Sequence, residues 1–306
     1  MATVTAPRKK RTPRYRGIDQ LSATDRVVVT LMIVIPTLLV VTLVWLPAIA
    51  SVLLSFTSWD GIGDIGSAKI VGLKNYTDVV TIYPPFWPAL QHNLIWFAVF
   101  FFLVTPLGIF LAVLLDREMR GSRVYQTALY MPVVLSLALV GFIWQLMYSK
   151  DQGLINAVTG STIDWYGDPK YNLGAALLAS SWRQTGYVML LYLAGLKGVD
   201  PTLREAARVD GASEKTIFFR VVFPVMRPIN LIVLVVTVIE SLRAFDLVWV
   251  INKGRNGLEL ISTLVTSNVI GEASRIGFGS ALATFMLLIS STFIVIYLRI
   301  VMKEDR

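Results

Sequence analysis

The chain of 306 residues has a net charge of +8, yet only 16% of its residues are charged and 55% are hydrophobic, with a mean hydropathy of +0.64. Soluble domains carry about 25% charged residues, so this composition argues against an ordinary soluble protein and indicates a membrane protein. Because the sequence contains no cysteine, a disulfide framework, a thiolate metal site and a cysteine nucleophile are all excluded.

Six apolar stretches predict membrane-spanning helices, because a helix needs about 20 apolar residues to cross the hydrocarbon core. Four have an uncharged apolar core, the fourth stretch contains only Arg183, and the fifth contains Glu240, Arg243 and Asp246. We therefore predict an all-α polytopic membrane protein. Its six transmembrane helices are expected at about 27–56, 93–115, 124–149, 171–196, 228–252 and 276–300.

The two ends of the chain are polar. Residues 1–26 form a basic tail that resembles the start of a signal peptide, but the apolar part that follows is too long and lacks a small-residue cleavage site. We therefore expect a retained first helix. Residues 27–301 are predicted to form one transmembrane domain, followed by a short polar end at 302–306. Segment 57–92 is expected to be an ordered outer cap.

The distribution of basic residues predicts the orientation. If the N-terminus is inside, the inner segments hold 19 Lys and Arg residues and the outer loops hold 7. Cytoplasmic loops carry an excess of these residues, so both termini are predicted to be cytoplasmic. The basic excess is then a signal of topology, and no nucleic-acid partner is expected.

The longest charged stretch between two apolar stretches is 197–227, where we predict two short helices. Asp200 can cap a helix that begins at Pro201, and Gly211 can take the left-handed conformation that ends it. Ser213 can cap the second helix. The apolar stripe of that helix is predicted to be Ile217, Phe218, Val221 and Val222.

The sequence EAARVDGASEKTIFFRVVFP at 205–224 resembles the cytoplasmic coupling-helix loop of ATP-binding-cassette importer permeases, whose pattern is EAA, a Gly and an I-x-LP ending. Val221 stands for the Ile and Phe223 for the Leu. The resemblance implies that this loop docks onto a separate ATPase. The residues implied in that coupling are Glu205, Ala206, Ala207, Asp210, Gly211, Ala212, Val221, Phe223 and Pro224.

The resemblance covers most of residues 27–303. SFTSWDG (55–61), SWRQTGYVML (181–190) and LRAFDLVWV (242–250) look like segments of the first of two permeases in carbohydrate importers, whereas INKGRNGL (251–258) departs from their frequent Gly-Gly-Gly-Pro stretch. The resemblance implies a bacterial cytoplasmic membrane and ATP and Mg bound by the ATPase. The implied partners are a second homologous permease subunit, a cytoplasmic ATPase dimer, an extracytoplasmic solute-binding protein, a sugar and membrane lipid.

The sequence shows no catalytic set. It has no G-x-x-x-x-G-K-[ST] loop for nucleotide phosphates. Its only histidine, His92, lies among Gln91 and Asn93 at the outer end of the second stretch, where a hydrogen-bonded interfacial role is favoured over a catalytic one. We therefore predict a transport subunit rather than an enzyme, with no cofactor and no metal bound by this chain.

The charges inside the apolar stretches are informative, because such residues usually face a bundle interior or a watery cavity. Arg183 and Arg243 lie about 14 and 15 residues from the cytoplasmic ends of their stretches, hence at similar depth. Glu240, Arg243 and Asp246 are spaced three apart, so that neighbours can touch on a helix. The pattern favours ion pairs that fix helix packing over substrate contact, and both interpretations remain open.

Sugar binding combines flat aromatic faces with short polar groups, and both occur near these charges and in the third stretch. Aromatic residues in spans are more often core or interfacial residues. The candidate substrate pathway is Trp144, Gln145, Tyr148, Trp182, Arg183, Gln184, Tyr187, Glu240, Arg243, Phe245, Asp246 and Trp249. We predict a subunit of an ATP-driven sugar importer. The alternative is an ion-coupled secondary transporter that uses the charged cluster as a relay.

Overall fold

The computed structural model describes residues 22–117, 120–271 and 274–304. These residues form helices and loops with one isolated antiparallel bridge, between Thr57 and Ile70, which confirms the all-α class. The helices, with short π-helical turns included, are α1 Ala23–Leu54, α2 Lys74–Thr81, α3 Phe86–Asp116, α4 Ser122–Val134, α5 Leu137–Met147, α6 Leu154–Thr159, α7 Asn172–Lys197, α8 Pro201–Val209, α9 Glu214–Val225, α10 Arg227–Leu242, α11 Asp246–Asn252, α12 Ile261–Val269 and α13 Ile276–Glu304.

Among the described residues, three helices are long and apolar enough to cross a membrane: α1, α3 and Ile276–Arg299 of α13. Two bent pairs raise this number to five if each pair is one span: α4 with α5, at 99°, and α9 with Arg227–Asn252, at 76°. The 26 residues of α7 have the length, about 39 Å, but a lower apolarity. Many of its residues are buried against other helices, so α7 needs less apolar surface toward lipid.

The chain divides into two units, Met1–Ala50 and Ser51–Arg306. In the first unit, Ser22 caps α1 by accepting a hydrogen bond from the Asp25 N–H at 3.1 Å. No residue of Ala23–Val40 is buried, and its apolar side chains are exposed on all faces. Such a helix is suited to hydrocarbon surroundings. Most of the predicted basic tail lies outside the described residues.

In the second unit, α7 is packed closely by its neighbours. A Cβ on Gly108 of α3 would lie 2.6 Å from Val188 Cγ1, and a Cβ on Gly186 would lie 2.3 Å from the Leu129 carbonyl oxygen of α4. Small residues at such crossings let helix backbones approach each other in membranes. Because Arg183 is one turn from Gly186, the contact with α4 fixes its position in the bundle.

The third predicted span is not a single helix. It bends by 99° between α4 and α5. Pro132 lies in the last turn of α4, and Ser136 starts α5 by accepting a hydrogen bond from the Leu139 N–H at 3.2 Å. The apolar pattern over 124–149 predicted helix correctly on both sides of the break, but it carried no information on the bend.

The segment predicted as an outer cap is ordered by one asparagine. Asn75 Nδ2 on α2 donates hydrogen bonds to the carbonyl oxygens of Ser55 at 2.8 Å and Thr57 at 2.7 Å. Helix α3 begins at Phe86, seven residues before the predicted start of the second span. The cap and the second span are therefore joined by a short connection.

Candidate functional site

The loop at 197–227 folds into two short helices. Asp200 begins α8 by accepting a hydrogen bond from the Thr202 N–H at 2.9 Å, and this bond lowers the pKa of the Asp200 carboxyl. Gly211 follows α8 with a φ of 79°. Ser213 begins α9 by accepting from the Thr216 N–H at 3.3 Å. The two predicted caps and the left-handed glycine are confirmed.

Ion pairs connect α8 to two long helices. Arg204 of α8 donates to Asp116 Oδ2 at 2.8 Å, and Lys197 Nζ lies 3.4 Å from the other oxygen of Asp116. A further pair at 3.1 Å, between Arg208 and Glu214, joins α8 to α9. Asp116, the last residue of α3, is therefore the point where α3, α7 and α8 meet. The only signal for it in the sequence was an acidic residue directly after the apolar stretch.

The loop has a buried side and an exposed side. Ile217 and Val222 are each 3% exposed and join a core cluster with Met189 and Tyr192 of α7. The coupling candidates that are half-buried are Ala207, Ala212, Val221 and Phe223. The coupling candidates that are exposed are Glu205, Ala206, Asp210, Gly211 and Pro224. The buried side thus holds in place a surface that presents Glu205 and Ala206.

The four charges in the predicted spans line one cavity. Arg183 of α7, Glu240 of α10, Arg243 in the break and Asp246 of α11 surround it together with Gln184. Its volume of about 30 Å³ is enough for an ordered water molecule and is small beside the roughly 300–1,000 Å³ of typical ligand pockets. Gln184 is buried, whereas Arg243 and Asp246 are exposed. The shared cavity agrees with the similar depth expected for the two arginines.

The expected ion pairs within this cluster are not present. In the part of the chain that the structure describes, none of these four charges lies within 4.0 Å of an opposite charge. The reason is that α10 ends at Leu242 and α11 begins only at Asp246. The prediction of one helix over 228–252 is therefore wrong, and the three-residue spacing no longer places these side chains on one helical face.

Asn93 stabilises the break. Its Nδ2 donates to the carbonyl oxygens of Ser241 at 2.9 Å and Leu242 at 3.4 Å, and its Oδ1 accepts from the Ile261 N–H at 3.0 Å. One fully buried side chain of α3 therefore satisfies the end of α10 and the start of α12. A buried amide must find partners, so an asparagine in an apolar stretch was the available signal. The adjacent His92 contacts the Glu259 carbonyl oxygen through Nδ1 at 2.8 Å, as expected for an interfacial residue.

Aromatic side chains form a row from α7, through the end of α5, to the loop between α6 and α7. The ring centroids of Trp182 and Trp144 are 5.9 Å apart, and those of Trp144 and Tyr148 are 5.1 Å apart. Tyr148 in turn contacts Trp165 at 5.5 Å and Tyr166 at 5.3 Å. Burial raises the pKa of Tyr166. Trp165 and Tyr166 escaped the sequence prediction because they lie in a loop, outside the apolar stretches.

The remaining residues of the candidate substrate pathway lie in different parts of the site. Phe245 lines the cavity and stacks on Trp249 at 5.2 Å. Gln145 donates to the Ile251 carbonyl oxygen at 3.4 Å, and Tyr187 is half-buried on α7. Neither Gln145 nor Tyr187 lines the cavity. The structure thus divides the predicted pathway into a charged cavity and an aromatic row.

Several donors at this site have no acceptor. Arg183 Nε and Gln184 Nε2 at the cavity, and Trp144 Nε1 and the Tyr166 hydroxyl in the aromatic row, are buried with no hydrogen-bond partner among the described residues. Buried polar groups are normally paired, so these atoms are available to a ligand that can accept hydrogen bonds.

The chain combines a structured polar loop with apolar helices that are bent or broken around a charged cavity. This combination is typical of transport proteins embedded in membranes. Residues 26–303 match the model of the family described as binding-protein-dependent transport system inner membrane component. The chain belongs to this family, which confirms the resemblance found in the loop at 205–224.

Named relatives carry the same kind of description. A probable ABC transporter permease protein of Pyrococcus horikoshii is 30% identical, over 88% of this chain and 94% of the relative. The xylose/arabinose import permease protein XacH of Haloferax volcanii is 31% identical, over 78% of this chain and 76% of the relative. The trehalose/maltose transport system permease protein MalF of Thermococcus litoralis is 28% identical, over 77% and 81%.

Solved structures share the fold. A chain of a bacterial ABC transporter involved in the import of the acidic polysaccharide alginate matches with a TM-score of 0.77 and 17% identity, over 92% of this chain and 97% of that one. A chain of the alginate transporter in complex with an alginate pentasaccharide-bound periplasmic protein matches with a TM-score of 0.75 and 17% identity, over 89% and 93%. The chain therefore has the fold of a transporter permease.

Proposed function

We propose that this chain is one of two transmembrane subunits of an ATP-driven importer for a carbohydrate, in a bacterial cytoplasmic membrane. The observation that carries the proposal is the exposed edge of α8 with Glu205 and Ala206, fixed from behind by buried contacts and ion pairs. In this proposal the chain crosses the membrane six times, with α7 as the fourth span and both termini inside. Residues 197–227 dock onto a separate ATPase dimer.

The ion pairs suggest how the loop acts on the spans. When the ATPase dimer closes, it moves α8, and the contact of Arg204 with Asp116 passes this movement to the end of α3. Arg204 also donates to the Leu196 carbonyl oxygen at 3.1 Å, which links α8 to α7. Since α7 carries Arg183, a movement of the loop reaches the cavity through helices that pack closely.

Two observations support a carbohydrate as the cargo. The unpaired donors Arg183 Nε, Gln184 Nε2 and Trp144 Nε1 lie beside aromatic faces, an arrangement that suits hydroxyl oxygens and apolar ring faces. Relatives of this chain are named for sugar import. Because the cavity is small and Arg243 and Asp246 are exposed, a second homologous permease completes the site. An external solute-binding protein delivers the sugar.

Charge reversal at Glu205 tests the coupling. Glu205→Lys places a cation on the docking surface, so sugar uptake and transport-linked ATP hydrolysis should fall at least about tenfold, the loss expected when a charge pair is replaced by repulsion. Asp151→Lys makes the same charge change at an exposed residue outside the coupling loop and should leave both rates unchanged. Uptake by Glu205→Lys at the wild-type rate would refute the coupling role.

A second candidate is an ion-coupled secondary transporter, which the unpaired Glu240 and Asp246 favour. Purified chain in liposomes distinguishes the two functions. An importer subunit gives no sugar flux under an imposed proton gradient, whereas a secondary transporter does. Gradient-driven uptake that Glu240→Gln abolishes would establish the second candidate.

A further inference from the structure

A larger cavity lies between α3 and α9, beside the coupling loop. Its volume is about 480 Å³. One wall contains Pro106, Phe110 and Val113, which share one face of α3. The opposite wall contains Phe218 and Phe219 of α9. The cavity is therefore an apolar groove between a span and the loop, separate from the charged cavity.

Two cations stand at the loop end of this groove. Arg117 and Lys215 line it and are exposed, and neither side chain has a hydrogen bond or ion pair with any described residue. Glu214 also lines the groove, but Arg208 binds its carboxylate at 3.1 Å. The groove thus joins an apolar interior to a positive rim that the described residues leave without a counter-charge.

The dimensions fit one leaflet of a bilayer. Arg117 is eleven residues from Pro106 along α3, which corresponds to about 16 Å. A hydrocarbon core is about 30 Å thick, so one leaflet is about 15 Å deep. When Arg117 lies at the headgroup level, Phe110 and Pro106 lie at the depth of the acyl chains. Basic pockets beside spans on the cytoplasmic side attract anionic headgroups.

We propose that this groove binds one anionic phospholipid of the inner leaflet. Its phosphate lies between Arg117 and Lys215, and an acyl chain runs along Phe110 and Phe218. The inference rests on the proposed function only in placing the loop on the cytoplasmic side. Because Phe218 belongs to the loop, the lipid fills the contact between the loop and α3.

Lipid retention tests the proposal without measuring transport. The full-length chain is extracted in mild detergent, with the subunits that co-purify, and is exchanged through micelles that contain equal phosphatidylglycerol and phosphatidylcholine. Mass spectrometry then counts the retained lipids. We expect an excess of phosphatidylglycerol, which Arg117→Gln and Lys215→Gln each reduce about fivefold. Arg123→Gln removes an exposed cation that does not line the groove, and it should leave the ratio unchanged.

Phe219→Trp narrows the groove and should lower the retention of both lipids. This variant distinguishes binding of the acyl chain from binding of the headgroup. Equal retention of the two lipids by the wild type would overturn the proposal. An equal loss in Arg123→Gln would also overturn it, because it would show a general effect of surface charge. Burial of Arg117 and Lys215 by a co-purified subunit, with no lipid retained, would identify the groove as a protein interface instead. None of these outcomes affects the importer proposal, which the Glu205 experiment tests separately.

Discussion

The loop at 197–227 and the charged cavity differ in whether their charged side chains form ion pairs. In the loop, Arg204 and Arg208 each bind a carboxylate of the same chain, at 2.8 and 3.1 Å. At the cavity, Arg183 and Glu240 line the same space without an ion pair. Ion pairs therefore hold the loop in place, whereas the charges at the cavity are not paired with one another among the described residues.

The difference follows from what each region must do. In the proposed importer, a surface that transmits force needs a fixed position, and the partly buried pair of Arg204 and Asp116, with the bond from Arg204 to the Leu196 carbonyl, supplies it. A pathway for a passing molecule must release its cargo, and permanent ion pairs across it would compete with the cargo. The comparison predicts that removing the ion pairs of the loop lowers the stability of this chain, and that removing the charges at the cavity lowers transport without a comparable loss of stability.

The largest effect on stability is expected for Asp116→Leu. It leaves the guanidinium of Arg204, whose side chain is 26% exposed, without its carboxylate. We expect the free energy of unfolding in detergent to fall by about 2 kcal/mol, less than for a fully buried pair because solvent screens part of the charge.

The matched control for Asp116→Leu is Asp78→Leu. Asp78 binds Lys74, whose side chain is 65% exposed, at 2.7 Å on α2. An exposed pair contributes below about 1 kcal/mol, so this change should cost less. Equal losses in the two variants would show that Asp116 is an ordinary surface carboxylate.

A smaller loss is expected for Gly211→Val. Gly211 has a φ of 79°, and a Cβ there would meet no described atom within 4 Å. The cost is therefore a backbone strain of about 1–2 kcal/mol without a steric clash. Asparagine tolerates the left-handed region, so Gly211→Asn should retain most of the melting temperature and of the ATP-coupled uptake. Equal loss in both variants would mean that the glycine is needed for close approach to the partner.

Two double-mutant cycles measure the coupling energy of one pair of charges in each region. Removing Arg204 and Asp116 singly and together should give a coupling energy of about 1 kcal/mol or more in unfolding. The same cycle with Arg183→Leu and Glu240→Leu should give below about 0.5 kcal/mol, while transport is lost in each single variant. A large coupling energy for the second pair would show that the cavity charges hold helices together.

The smallest effect concerns Asp200 and is specific to pH. The Thr202 N–H lowers the pKa of Asp200 in the folded protein, so its contribution is present at neutral pH and is lost as the pH falls through that lowered pKa. Hydrogen exchange of the first turn of α8 should increase in the wild type only at acidic pH. Asp200→Asn keeps the cap without a charge and should remove this pH dependence.

The local structure of the loop was predicted well from the sequence, whereas the interruptions within the apolar helices were not. Asp200, Gly211 and Ser213 were predictable because caps and left-handed turns depend on one or two neighbouring residues. The interruption after Leu242 was not predictable, because the Asn93 amide that binds there lies far away in the sequence. Hydrophobicity predicts which segments are long and apolar enough to cross a membrane, but it does not determine whether a segment stays helical throughout.

The dependence on residues distant in the sequence also explains why the cavity was predicted only in part. Arg183 and Arg243 were predicted at similar depth because helical rise is regular, and the structure places both at one cavity. Their pairing was not predictable, since ion pairs require side chains to point correctly across a break. The aromatic row was found only in part for a similar reason, because Trp165 joins it from a loop.

The carboxamide of Asn93 has a mechanical consequence. Its hydrogen bonds join the end of α10 to the start of α12, so the segment between them is clamped at both ends on α3. Moving the end of α10 or the start of α12 away from α3 would strand these buried donors and acceptors, at a cost of about 1–3 kcal/mol for each group. We therefore expect the chain between Leu242 and Ile261 to move together with α3 rather than independently of it.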